Sequence, residues 1–133
     1  MSDSPENSGA WIIDPAQYLD TRAPTHKVPA PVSLYLDMPD GVRLAADVYV
    51  PEGPKPDGGF PALLHLTPYY RRFALKDGAP AETEACPNAF KFRDMFVPRG
   101  YAMVVVDVRG TGASFGSRDS FRSPVERDDY RTI

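Results

Sequence analysis

The chain has 133 residues, 42% hydrophobic and 25% charged, the make-up of a globular domain or of part of one. A net charge of −3 leaves no basic stripe for nucleic acid or an anionic membrane, and no apolar run nears the ~20 residues of a membrane span. The single cysteine excludes an intrachain disulfide, and the acidic, polar N-terminus has no secretory pattern, so the expected compartment is the cytoplasm.

Residues 1–30 read as a loop-rich leader, and 31–133 as a partial α/β domain. Asp14-Pro15-Ala16-Gln17 resembles a helix start, with a capping side chain and proline at the first helical position. His26 lies among prolines and is expected to be exposed. Residues 32–50 read as a β-hairpin. Val32, Leu34 and Leu36 alternate with polar neighbours, as do Leu44, Ala46, Val48 and Val50, so one face of each strand should be buried. Pro39-Asp40-Gly41 supplies the turn. Asp37, Asp40 and Asp47 do not fit a calcium loop, because Leu36 and Met38 would occupy ligand positions; these carboxylates are expected to be solvated.

PALLHLTP (61–68) and YAMVVVDV (101–108) are continuous apolar runs, the pattern of strands buried on both faces in a parallel sheet. Between them Pro87-Asn88 starts a helix with Ala89, Phe92, Met95 and Phe96 on one face, stopped by Pro98 and Gly100. His65 lies inside the first run and reads as a core histidine; Cys86, with no partner in view, reads as an ordinary thiol. Ser123-Pro124-Val125-Glu126 is a capping box that opens a last helix. Strand, helix, strand makes a βαβ unit, and the last parallel strand should present an unpaired edge open to self-association.

Gly112-Ala113-Ser114-Phe115-Gly116 spells the G-x-S-x-G of a nucleophile elbow. An elbow serine sits on a sharp turn between a strand and the helix that follows at once. Here the strand ends near Val108 and the next helix starts around Ser123. No histidine follows Ser114, so it lacks the base that makes a hydroxyl nucleophilic. The same glycines fail the dinucleotide fingerprint, since position 115 is Phe115, and no lysine completes a phosphate loop. A tight loop at the sheet edge remains, tied down by Asp107 and Arg109. No cofactor or metal site emerges. A small nucleotide-binding domain and a non-catalytic half-domain that pairs with another chain stay open as alternatives.

DGVRLAADVYVPEG, PALLHLTPYYRR, RGYAMVVVDVRGTGASFGS and ERDDYRTI, in that order, resemble the start of the cocaine esterase and Xaa-Pro dipeptidyl-peptidase family of α/β-hydrolases. The resemblance covers residues 32–133. It implies the N-terminal portion of an α/β-hydrolase fold (hairpin, βαβ, start of a helix), truncated before the nucleophile elbow. The chain would then belong to a serine hydrolase cleaving small-molecule esters or amides, lack the Ser/Asp/His triad, and be inactive alone. In that family the serine of this glycine-rich loop is not the nucleophile. A tyrosine after the third strand donates to the oxyanion there, and its Pro-Tyr motif matches Pro68-Tyr69. From the residues alone Tyr69 reads as a packing aromatic with a wet hydroxyl; the resemblance reverses that and implies an oxyanion-hole donor. Family members often carry an acidic residue next, where this chain has Tyr70 and then Arg71, which leaves the substrate open.

Overall fold

A computed structural model describes Ala16, Gln17, Thr21 and residues 23–133. The leader's Trp11 and Asp14-Pro15 lie outside the described residues, although Ala16 and Gln17 are helical.

The hairpin forms where alternation and turn chemistry coincide. Strand β1 (Val32–Asp37) and strand β2 (Arg43–Tyr49) pair antiparallel, Leu36 opposite Leu44. Gly41 takes φ +81° in the turn, a conformation that side chains resist, and its N–H donates to Met38 O at 2.8 Å. The two apolar runs become β3 (Ala62–Thr67) and β4 (Ala102–Asp107), which pair parallel with Thr67 beside Asp107. Helix α1 (Phe90–Phe96) crosses between them, continued by a 3-10 turn at Val97–Arg99 and ended at Gly100. Helix α2 (Pro124–Thr132) opens with half of the expected capping box: Ser123 Oγ accepts the Glu126 N–H at 3.2 Å, while the Glu126 carboxylate turns to Arg118 and the Tyr130 hydroxyl.

The sheet order is β1-β2-β4-β3, a mixed four-stranded sheet. The last parallel strand is therefore not an edge. β4 lies inside, antiparallel to β2 and parallel to β3, and β3 is the edge on that side. Burial departs from expectation on three strands, and on β1 Val32 and Leu34 are exposed rather than buried. β2 is covered on both faces, with Ala45, Asp47 and Tyr49 as buried as Leu44 and Ala46. β3 is not, since Leu64 is 45% exposed. Continuous hydrophobicity marked a parallel strand correctly, but burial of both faces depends on what packs against each.

One core lies between the sheet and α1: Tyr49, Met103 and Val105 with Cys86, Ala89 and Val97. A second, on the opposite face, joins Met38, Leu44, Ala46 and Val106. Helix α1 does not present the expected apolar face. Phe92 and Met95 are exposed, while Ala89 and Val97, at its two ends, are buried. Arg93 lies between them with its guanidinium over the Tyr49 ring and its fork on Glu84 at 2.8 Å.

Candidate active site

Parallel pairing sends the segments after β3 and β4 out of the same sheet edge, where α/β folds collect their chemistry. After β3, Pro68-Tyr69-Tyr70 forms a corner. Thr67 Oγ1 accepts the Tyr69 N–H at 3.0 Å, and Asn88 Nδ2 donates to Tyr69 O at 2.5 Å. Tyr70 holds φ +73°, a left-handed conformation costly for an aromatic residue. The Tyr69 side chain is 68% exposed, so its ring is fixed at the backbone and open to a ligand.

After β4 the chain winds into a tight loop. Thr111 N–H donates to Val108 O at 3.0 Å and Ser114 N–H to Thr111 O at 2.9 Å. Ser114 Oγ donates to Asp107 O at 2.6 Å and accepts the Ala45 N–H at 2.8 Å. Its hydroxyl thus stitches the loop to β2. Ser114 lies well past the end of β4, and the next helix begins only at Pro124. His65 faces α1 instead, its ring 5.8 Å from that of Phe92, and burial holds its imidazole below the usual pKa of 6.5. Among the described residues no hydrogen bond joins His65 to Ser114.

The glycine loop forms no phosphate cradle either. The N–H groups of Gly110, Thr111, Ser114 and Phe115 donate to backbone carbonyls, and that of Ala113 donates to Asp107 Oδ2. At Gly112 (φ +54°) a Cβ would collide with the Asp107 carboxylate, so glycine is required for that close approach.

Asp107 ties the loop down, as expected, but Arg109 does something different. Its guanidinium grips Asp129 of α2 at 2.8 and 2.6 Å and Asp40 of the hairpin turn at 2.7 Å. That contact holds the Asp40 carboxyl below its ordinary pKa.

Not all three hairpin carboxylates are solvated. Asp47 is fully buried because it points toward Arg71 Nε, 3.1 Å away, and Arg72 Nε, 3.0 Å away. His26 is also fastened rather than exposed. Its N–H donates to Pro98 O at 3.0 Å and its ring packs edge-on against Phe60. Cys86 is a buried thiol whose Sγ donates to Arg71 O at 2.8 Å, and burial raises its pKa, so it stays protonated.

The roles of Arg71, Asp47 and Asn88 were not expected: alternation put Asp47 on the polar face of β2, with its carboxylate solvated. The available signal was an aspartate ending β4 and adjacent arginines just after Pro-Tyr. Among the described residues no cluster of His, Cys, Asp and Glu suits a metal, and no helix is long and apolar enough to cross a membrane.

Comparison with known proteins gives this geometry a family. Two proteins named as serine esterases, from Mycobacterium bovis and Mycobacterium tuberculosis, are each 40% identical over 137 residues, covering 93% of this chain and 21% of their own. The chain thus spans about one-fifth of the length of these relatives. The crystal structure of a CocE/NonD family hydrolase from Staphylococcus aureus shares the fold, with a TM-score of 0.51 at 20% identity over 80% of this chain and 19% of that one. Residues 40–133 match the family model described as X-Pro dipeptidyl-peptidase (S15 family). A serine at Ser114 that serves as a strut, beside an open Pro-Tyr corner, is therefore a feature of a chain that belongs to the X-Pro dipeptidyl-peptidase (S15) family of hydrolases.

Proposed function

We propose that the chain is the N-terminal portion of a cytoplasmic serine hydrolase that cleaves small-molecule esters or amides through an acyl-enzyme. In this reading it contributes the Tyr69 hydroxyl to the oxyanion hole, supplies no triad residue, and is inactive alone. The observation that carries it is the Pro68-Tyr69 corner. The corner stands at the C-terminal end of β3, is pinned through Thr67 and Asn88, and leaves the ring free. The loop after the third strand is where these folds place oxyanion donors. A phenol O–H there donates to the carbonyl oxygen as it becomes negative, and one such donor is worth roughly 3–4 kcal/mol of barrier. The hydroxyl of Ser114, held by Asp107 O and the Ala45 N–H, supports its role as a strut rather than a nucleophile.

A chimera tests the reading. Residues 31–133 replace the matching segment of the Mycobacterium tuberculosis relative, and hydrolysis of a nitrophenyl ester is followed. Tyr69→Phe should lower kcat by about 10²–10³-fold with KM little changed. A loss under about threefold would reject Tyr69 as the donor.

A further inference from the structure

Asp47 and Asp107 occupy the same face of the sheet on neighbouring strands, and neither reaches water. Two buried carboxylates need compensation, and it comes from the segment that carries Tyr69. Arg71 Nη1 lies 2.7 Å from Asp107 Oδ2, and Arg71 Nε lies 3.1 Å from Asp47 Oδ1. Arg72 Nε approaches Asp47 Oδ2 at 3.0 Å, and Ser33 Oγ donates to Asp47 Oδ1 at 2.6 Å.

Asp107 does more than neutralise Arg71. Its Oδ1 accepts the backbone N–H of Arg71 at 2.6 Å, the peptide that follows Tyr70. Its Oδ2 accepts the Ala113 N–H at 3.1 Å. One carboxylate therefore holds both loops at the edge where β3 and β4 end. Tyr70 sits between two fixed points, the Tyr69 N–H on Thr67 Oγ1 and the Arg71 N–H on Asp107. Its left-handed φ of +73° is costly for an aromatic residue and persists only if the surroundings enforce it. Ion pairing alone would not need the backbone contact, because apolar residues of similar volume often replace a buried pair without loss of stability. The charge-assisted N–H contact fixes the direction of the chain.

We infer that Asp107 is a positioning residue for Tyr69: its carboxylate, balanced by Arg71, tethers the Arg71 peptide, keeps Tyr70 left-handed and so fixes where the Tyr69 hydroxyl stands. The catalytic consequence rests on the reading of Tyr69 as oxyanion donor, whereas the tether is a property of the chain alone.

Amide hydrogen exchange on the full chain tests the tether. In the unsubstituted protein the Arg71 amide, although in a loop, should exchange within about tenfold of the β4 amides of Val104 and Val106. Exchange at the rate of open loop amides would overturn the inference without any variant. Asp107→Asn should speed Arg71 exchange at least about tenfold and leave Val104 and Val106 within about threefold. No change at Arg71, or equal acceleration at all three, would contradict it.

The chimera tests the consequence. Asp107→Asn should lower kcat about tenfold with KM within about twofold, and on a Tyr69→Phe background it should change kcat by less than about twofold. Effects that multiply would show that Asp107 does not act through Tyr69. If Tyr69→Phe alone leaves kcat unchanged, the oxyanion reading fails, and the exchange rates still decide whether Asp107 holds the corner.

Discussion

Ser114 carries the letters of a nucleophile and the bonds of a strut. Its hydroxyl spans Asp107 O and Ala45 N–H, so removing it leaves two backbone groups short of a partner. Ser114→Ala should destabilise the chain by about 1–2 kcal/mol, read from urea unfolding. An unchanged midpoint would mean that the hydroxyl carries no structural load. The motif letters were visible in the sequence, and so was the distance to the next helix. What Asp47 does was not visible. Hairpin alternation places its side chain on one face, but only the fold reveals that Arg71 and Arg72, far along the chain, arrive on that face to neutralise it. Tyr69 was legible as a residue to watch only through its motif. Its anchoring by Asn88 depends on a contact with the segment that leads into α1, which no local pattern encodes.

Among the elements, α2 and β3 show where patterning succeeds and stops. The capping box marked the start of α2 correctly, yet the buried side chains of this helix are Glu126 and Asp129, not an apolar stripe. Glu126 is met by Arg118 and by the Tyr130 hydroxyl, and Asp129 by Arg109. The helix docks through ion pairs, which hydrophobic periodicity cannot reveal. Arg109→Met would strand the buried Asp129 carboxylate and should cost about 3 kcal/mol in urea unfolding. A loss below about 1 kcal/mol would contradict that docking account. On β3 His65 is only partly buried, its ring against Phe92 rather than in the core, and that burial lowers its imidazole pKa. The unfolded chain then binds a proton more readily than the folded one. Stability should be fully present above pH 6.5 and fall as the pH drops below it, and His65→Leu should flatten that slope. Equal slopes for both proteins in melts across this range would refute the assignment.

For the molecule as a whole, strand order decides which edge of the sheet stays open. Hairpin, βαβ unit and last helix all appeared in the expected places, because each has a local signature of alternation, apolar run or cap. The order β1-β2-β4-β3 has no such signature, so the exposed edge falls on β3 rather than β4. That edge carries no Asp, Glu, Lys or Arg side chain, and Leu64 lies exposed on it with Phe92 beside it. Unprotected edges of this kind favour strand-to-strand association. Elution volume should therefore decrease as concentration rises, and Leu64→Lys should abolish the trend; a concentration-independent monomer would contradict this. Asp40 and Glu84, held below their ordinary pKa values of 3.8 and 4.5 by Arg109 and Arg93, add an acid limit. Their contribution is present above those values and is lost as the pH falls through the lower folded ones.

On the proposed reading Tyr69 serves as an oxyanion donor and Ser114 is a strut rather than a nucleophile, its hydroxyl already engaged by Asp107 O and the Ala45 N–H. Reaction of the purified chain with a fluorophosphonate probe, mapped by mass spectrometry, tests it most directly. No adduct should form at Ser114 or at any other residue. A stoichiometric adduct on Ser114 would contradict it.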